Sequence, residues 1–113
     1  IMAQDFKRFG DQDVGTSAST IHTSNSNDAI ISIRLANTTT STITAEVFIT
    51  SSVTGGSQDH YIIKNAPIVS GGSLELIDGG SKLVIQNGDV VKAKSDTASS
   101  LSVWMSTVDA ISS

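Results

Sequence analysis

Hydrophobic and polar residues alternate with a period of two in several short runs of this chain, and clusters of turn-forming residues separate the runs. In AIISIRLAN, Ile31, Ile33 and Leu35 fall on one face, with Ser32 and Arg34 on the other. The turn-like NTTTS comes next. TITAEVFIT then sets Ile43, Ala45, Val47 and Ile49 against Thr44, Glu46, Phe48 and Thr50. Successive side chains of a strand point to opposite faces, so this spacing predicts strands with one buried face. Their β-branched residues suit a pleated, half-buried surface.

Weaker patterns complete the chain. DFKRF, residues 5–9, is either a short first strand or an arm, and GDQDVGTS, 10–17, is a loop rich in turn formers. SASTIHTS is a weak strand, NSND a turn and SSVTGGSQD a flexible loop. HYIIKNAP is a strand that Pro67 should stop, because proline has no N–H for a sheet ladder. SLELI, KLVIQ, VVKAKS and LSVWMSTV follow, separated by SGG, DGGS, NGD and SDTASS. Leu101, Val103 and Met105 should point inward, and the tail DAISS should fray. The result is about eight or nine short strands at regular spacing and no convincing helix. The predicted fold is all-β: a single small antiparallel β-sandwich or jelly-roll-like barrel with Gly-rich hairpins. Residues 1–17 form an N-terminal arm and loop, extended onto a neighbour or frayed, and 18–113 form the sandwich.

Composition narrows the function. The chain has 113 residues, a net charge of −4 and no cysteine. One domain is expected, without disulfides or thiolate metal sites. No apolar run approaches the ~18–20 residues of a membrane helix. IMAQDFKRFGDQD lacks the apolar core of an export signal, and Met2 marks the expected translation start. The seven cationic side chains are dispersed, whereas binding to phosphate backbones needs them clustered, so no nucleic-acid partner is expected. Charged residues make up only 16 % of the chain, which suits surfaces that pack against other protein as well as a soluble extracellular β-protein.

The residues of catalysis are sparse. Serines abound, but the only histidines are His22 and His60, both on or beside predicted strands, and there is no G-x-S-x-G elbow. Asp11, Asp13, Asp78 and Asp89 do not follow the calcium-loop pattern, and aspartate beside glycine ordinarily serves a turn. Gly55–Gly56, Gly71–Gly72 and Gly79–Gly80 lack the P-loop Lys-Ser/Thr. Glu46 and Glu75, the only glutamates, sit on outward faces with nothing to pair them for glycoside hydrolysis. No catalytic, cofactor-binding or metal-ligating residue is assigned, and no enzymatic activity is expected.

Two aromatic residues break the pattern. Phe48 and Trp104 occupy polar registers in a chain with only 4 % aromatics. Large aromatics at solvent-side positions are enriched at protein contacts. The competing readings are that both sheet faces are covered, or that the register is displaced by one residue. Tyr61, beside Ile62 and Ile63, is a core or rim residue. Phe48, Trp104 and Tyr61 are the candidate interface residues.

Several motifs resemble small structural proteins of tailed bacteriophages, of the T4-like cyanophage and marine phage type. The likeness runs through Ala36-Asn37-Thr38-Thr39, Lys64-Asn65-Ala66-Pro67-Ile68, Gly72, Leu74, Leu76 and Gly80. It continues through Lys82-Leu83-Val84-Ile85, Gly88-Asp89 and the ending Leu101-Ser102-Val103-Trp104-Met105-Ser106, about two thirds of the chain in all. Val69 departs from it where a second proline is frequent, and Trp104 where a smaller residue is common. The resemblance implies a non-enzymatic virion protein in symmetric copies, assembled in the host cytoplasm. A capsid decoration (cement) protein is the first expectation, and a neck, tail or fibre-attachment accessory the alternative. Its partners would be further copies of itself and other virion proteins, such as the major capsid protein or a neck or tail protein. A reading of another class is a glycan- or host-surface-binding β-module, with Trp104 and either Tyr61 or Phe48 as its stacking platform.

Overall fold

The computed structural model describes residues 5–24, 26–51, 58–77 and 83–112, the side chains of 5, 6 and 109–112 excepted. These residues form nine strands: β1 (Asp5–Val14), β2 (Ser19–Thr23), β3 (Asn27–Asn37), β4 (Ile43–Ser51), β5 (Gln58–Ile68), β6 (Ser73–Glu75), β7 (Leu83–Ile85), β8 (Val90–Ser95) and β9 (Leu101–Ser112). One antiparallel sheet has the order β1-β9-β3-β6, with β7 also on β3, and the other has the order β2-β8-β4-β5. The fold is the small β-sandwich that the alternation predicts.

The core lies between the sheets. Ile30, Ile33 and Leu35 of β3 and Leu101, Val103 and Met105 of β9 meet Ile43, Ala45 and Val47 of β4 and Val91 and Ala93 of β8. Burying branched side chains of this kind stabilises by about 1.5–3 kcal/mol each, the main return against the entropy of ordering the chain.

The turns follow from their residues. Asn37 is buried at the β3–β4 corner, where its Oδ1 accepts from the Thr39 N–H at 2.8 Å and its Nδ2 donates to the Ile68 carbonyl at 2.9 Å. This one side chain shapes its own turn and ties the ends of the two sheets together. After β7, Asp89 Oδ2 accepts from the Gln86 N–H at 2.9 Å, and Gly88 adopts the positive φ of 94° that the turn requires.

The structure corrects several expectations. The strand predicted over DFKRF continues to Val14, through residues expected to form a loop, and hydrogen-bonds to β9 of the same chain. Residues 5–9 thus take the strand alternative rather than the arm, and residues 10–14 are sheet where a loop was expected. Ile31 does not share a face with Ile33. Between Ile30 and Ser32 the β3–β9 register slips by one residue, which buries Ile30 and leaves Ile31 half-exposed. Pro67 does not stop its strand. It stands opposite Thr44 within β5, and β5 is an end strand, where a missing N–H can face solvent. The tail joins β9 through Ser112. The DGGS turn, and most of the loop predicted over 51–59, lie outside the described residues.

Candidate assembly surface

The two outer faces of the sandwich differ in chemistry. On the β1-β9-β3-β6 sheet the register aligns Gly10, Trp104, Arg34 and Glu75 across four strands. Trp104 is 51 % exposed. It lies against Gly10, where an added Cβ would come within 3.2 Å of the indole and 2.9 Å of the Val103 carbonyl oxygen. Arg34 donates through Nε at 3.1 Å and Nη2 at 3.0 Å to Glu75 Oε1. Both side chains are well exposed, so solvent limits this pair to a fraction of a kcal/mol. Ser32 and Ser106 flank the row on one side, with Arg8 of β1 beside them, and Ala36, Ser73 and Ser102 flank it on the other. Trp104 is thus an exposed ring among small and charged neighbours, and exposed indoles of this kind are frequent anchors for another protein.

On the β2-β8-β4-β5 sheet the corresponding row is Thr20, Lys92, Phe48 and Tyr61. Phe48 keeps the outward register but is only 6 % exposed, contrary to the expectation of a solvent-facing ring. Tyr61 packs against it edge to face, with 5.2 Å between centroids and 82° between planes, and Lys92 stands opposite on β8. Tyr61 is itself 42 % exposed, and Lys64 Nζ lies 4.5 Å from its ring centroid. The structure therefore brings Phe48 and Tyr61 together and leaves Trp104 on the opposite sheet. A sugar-stacking platform combining Trp104 with either is not formed.

A dense polar cluster that includes a histidine lies inside. Asp28, fully buried on β3, accepts from Ser24 Oγ at 2.8 Å and Ser26 Oγ at 2.6 Å, and His22 Nε2 lies 3.2 Å from its Oδ2. The His22 ring stacks on Phe9 of β1, with 4.0 Å between centroids. Nucleophilic catalysis needs a serine hydroxyl on the imidazole, and here both hydroxyls bond to the carboxylate. The cluster joins β1, β2 and β3. His60 Nε2 is buried with no hydrogen-bond partner among the described residues. Asp89, weighed as a calcium ligand, spends its second oxygen on Ser51 Oγ at 2.7 Å. Asp11 Oδ1 accepts from the Asp13 N–H at 3.0 Å. No group of three or more metal-ligating side chains occurs among the described residues. Asp96 lies in the turn between β8 and β9. The Thr44 N–H, and then the Thr97 hydroxyl, hold its carboxyl below the ordinary value of 3.8.

The outer edge of β1 was not singled out from sequence. β1 ends its sheet and carries Asp5, Lys7 and Arg8 toward one end, Asp11 and Asp13 toward the other. That charge order is legible in the sequence once these residues are known to form one strand.

No protein-family model matches the chain, and a sequence search of curated proteins finds no match. Among solved structures the chain is similar to one described as "Bacillus endospore appendages form a novel family of disulfide-linked pili", with a TM-score of 0.52 and 18 % identity over 94 % of this chain and 84 % of that one. At that identity the likeness bears on fold alone, and it agrees with the two-sheet sandwich seen here.

Proposed function

We propose that this chain is a non-catalytic structural subunit that works in many symmetric copies, in the particle of a tailed bacteriophage. Capsid decoration is the preferred role, and a neck, tail or fibre-attachment accessory the alternative. One observation carries the reading: the half-exposed Trp104 on the outer face of the β1-β9-β3-β6 sheet. A solvent-exposed indole has no evident use in a free monomer, and it is the side chain most enriched in the energetic centre of protein contacts. The motif likeness to phage structural proteins supplies the setting. The appendage chain of similar fold also belongs to a structural assembly, named as disulfide-linked pili. This sequence has no cysteine, so contacts that it makes between copies are not disulfides. A repeated subunit gains stability by mass action with its neighbours, and closed symmetry limits its growth.

The test is the mass of the purified chain in solution, together with its binding to assembled particles. Closed oligomers, or saturable binding to capsids or tails, are expected. A strict monomer that ignores both overturns the reading.

A further inference from the structure

We propose that Asn87–Gly88 is a site of spontaneous deamidation, and that the fold keeps it unreacted by locking the Gly88 amide onto the carbonyl of Ser24. The inference goes beyond the structural-subunit reading and does not depend on it.

These residues are the only asparagine–glycine pair in the chain. Asparagine is a thermolabile residue, and a following glycine has no side chain to obstruct the reaction. The backbone nitrogen of Gly88, having lost its proton, attacks the side-chain carbonyl carbon of Asn87. A C–N bond forms, the side-chain nitrogen leaves as ammonia, and a five-membered succinimide remains. Water then opens the ring at either carbonyl, which leaves aspartate or β-linked isoaspartate. The sum is a primary amide and water giving a carboxylic acid and ammonia, with no other reactant.

The turn offers the opportunity. It is closed by the Asp89 N–H donating to the Gln86 carbonyl at 3.0 Å. Asn87 and Gly88 are its two central residues, and both are exposed. Gly88 has a φ of 94°, as the third residue of a type II turn requires. A Cβ added there would meet nothing within 4 Å, so neither bulk nor burial obstructs ring closure.

The same turn supplies the restraint. The Gly88 N–H donates to the Ser24 carbonyl at 2.8 Å, and the Ser24 N–H donates to the Asp89 carbonyl at 2.8 Å. Ser24 is buried, with its hydroxyl on the carboxylate of Asp28. Asp89 is fixed through both carboxylate oxygens, by the Gln86 N–H and the Ser51 hydroxyl. The proton that must leave Gly88 before the attack is therefore the one donated to Ser24. Removal of an amide proton by base is also the first step of hydrogen exchange, so both reactions wait for the same local opening. Isoaspartate adds a methylene to the main chain here and carries Gly88 away from Ser24. The reaction thus undoes its own restraint.

The experiment incubates the full chain at mildly alkaline pH, folded and in guanidinium chloride, and follows the tryptic peptide 83–92 by mass and by isoaspartate content. In denaturant the peptide should gain the mass difference between an amide and a carboxylic acid. In the folded chain the gain should be at least about tenfold slower, and the Gly88 amide should exchange more slowly by a similar factor. Asn87→Ser should abolish the gain in both states. Asp89→Ala, which frees the turn, should speed it severalfold in the folded chain and leave the denatured rate unchanged. No gain in denaturant, or a gain that persists in Asn87→Ser, overturns the site. Equal rates folded and denatured, or slow deamidation beside a freely exchanging Gly88 amide, overturn the lock. Where Asp89→Ala fails to fold, the two wild-type measurements still decide.

Discussion

β1 and β5 are both end strands of antiparallel sheets, of 10 and 11 residues, yet the sequence treats them in opposite ways. β5 is blunted. Its pairing with β4 slips on both sides of Val47, Asn65 takes a left-handed φ of 54°, and Pro67 removes a donor near its end. Bulges, left-handed residues and prolines are established means of keeping an edge from recruiting another strand. β1 has a regular ladder from Asp5 to Asp11, with its irregularity confined to the stretch from Asp11 to Val14. Its defence is charge, carried by Asp5, Lys7, Arg8, Asp11 and Asp13. The contrast shows that one sandwich can blunt one edge and leave another regular.

Three substitutions probe that contrast, beginning with the largest effect. Asp28→Ala removes the carboxylate that holds Ser24, Ser26 and His22, and His22 is the side chain that supports Phe9 of β1. Taking away one partner of a buried charged cluster should cost about 3 kcal/mol in a urea titration, with β1 loosened and β5 unaffected. A loss under about 1 kcal/mol would mean that the cluster does not anchor β1.

Gly10→Val comes next. The added Cβ would crowd the Val103 carbonyl oxygen and the Trp104 ring, and overpacking of this kind costs about 1–3 kcal/mol. Denaturant unfolding should record that loss, with protection falling first along β1. The smallest effect belongs to β5. Asn65→Gly relieves the left-handed backbone, less the entropy that glycine adds to the unfolded chain. The melting curve should change by under about 1 kcal/mol, and the oligomeric state should not change at all. A rise in association would show that Asn65 itself guards the edge.

Much of this architecture was legible because alternation is local. β4 reads directly from Ile43, Ala45, Val47 and Ile49, and β9 from Leu101, Val103 and Met105. What escaped depends on partners distant in sequence. Ile31 lost its place because β3 bulges against β9, which periodicity within β3 does not encode. Phe48 kept its face but not its exposure, since Tyr61 of a separate strand covers it. Pro67 reads as a strand breaker unless β5 is known to be an end strand. Residues 10–14 read as a loop because aspartate and glycine are poor strand formers, yet the ladder to β9 carries them. The charges of β1 were visible throughout, and topology alone places them on an edge.

That β1, and not β5, is the edge open to a further strand is tested most directly by amide hydrogen exchange at low and high protein concentration. Amides of β1 between Asp5 and Asp11 should gain protection as concentration rises, while those of β5 should keep one rate throughout. Protection gained along β5, or exchange independent of concentration on both strands, would contradict it.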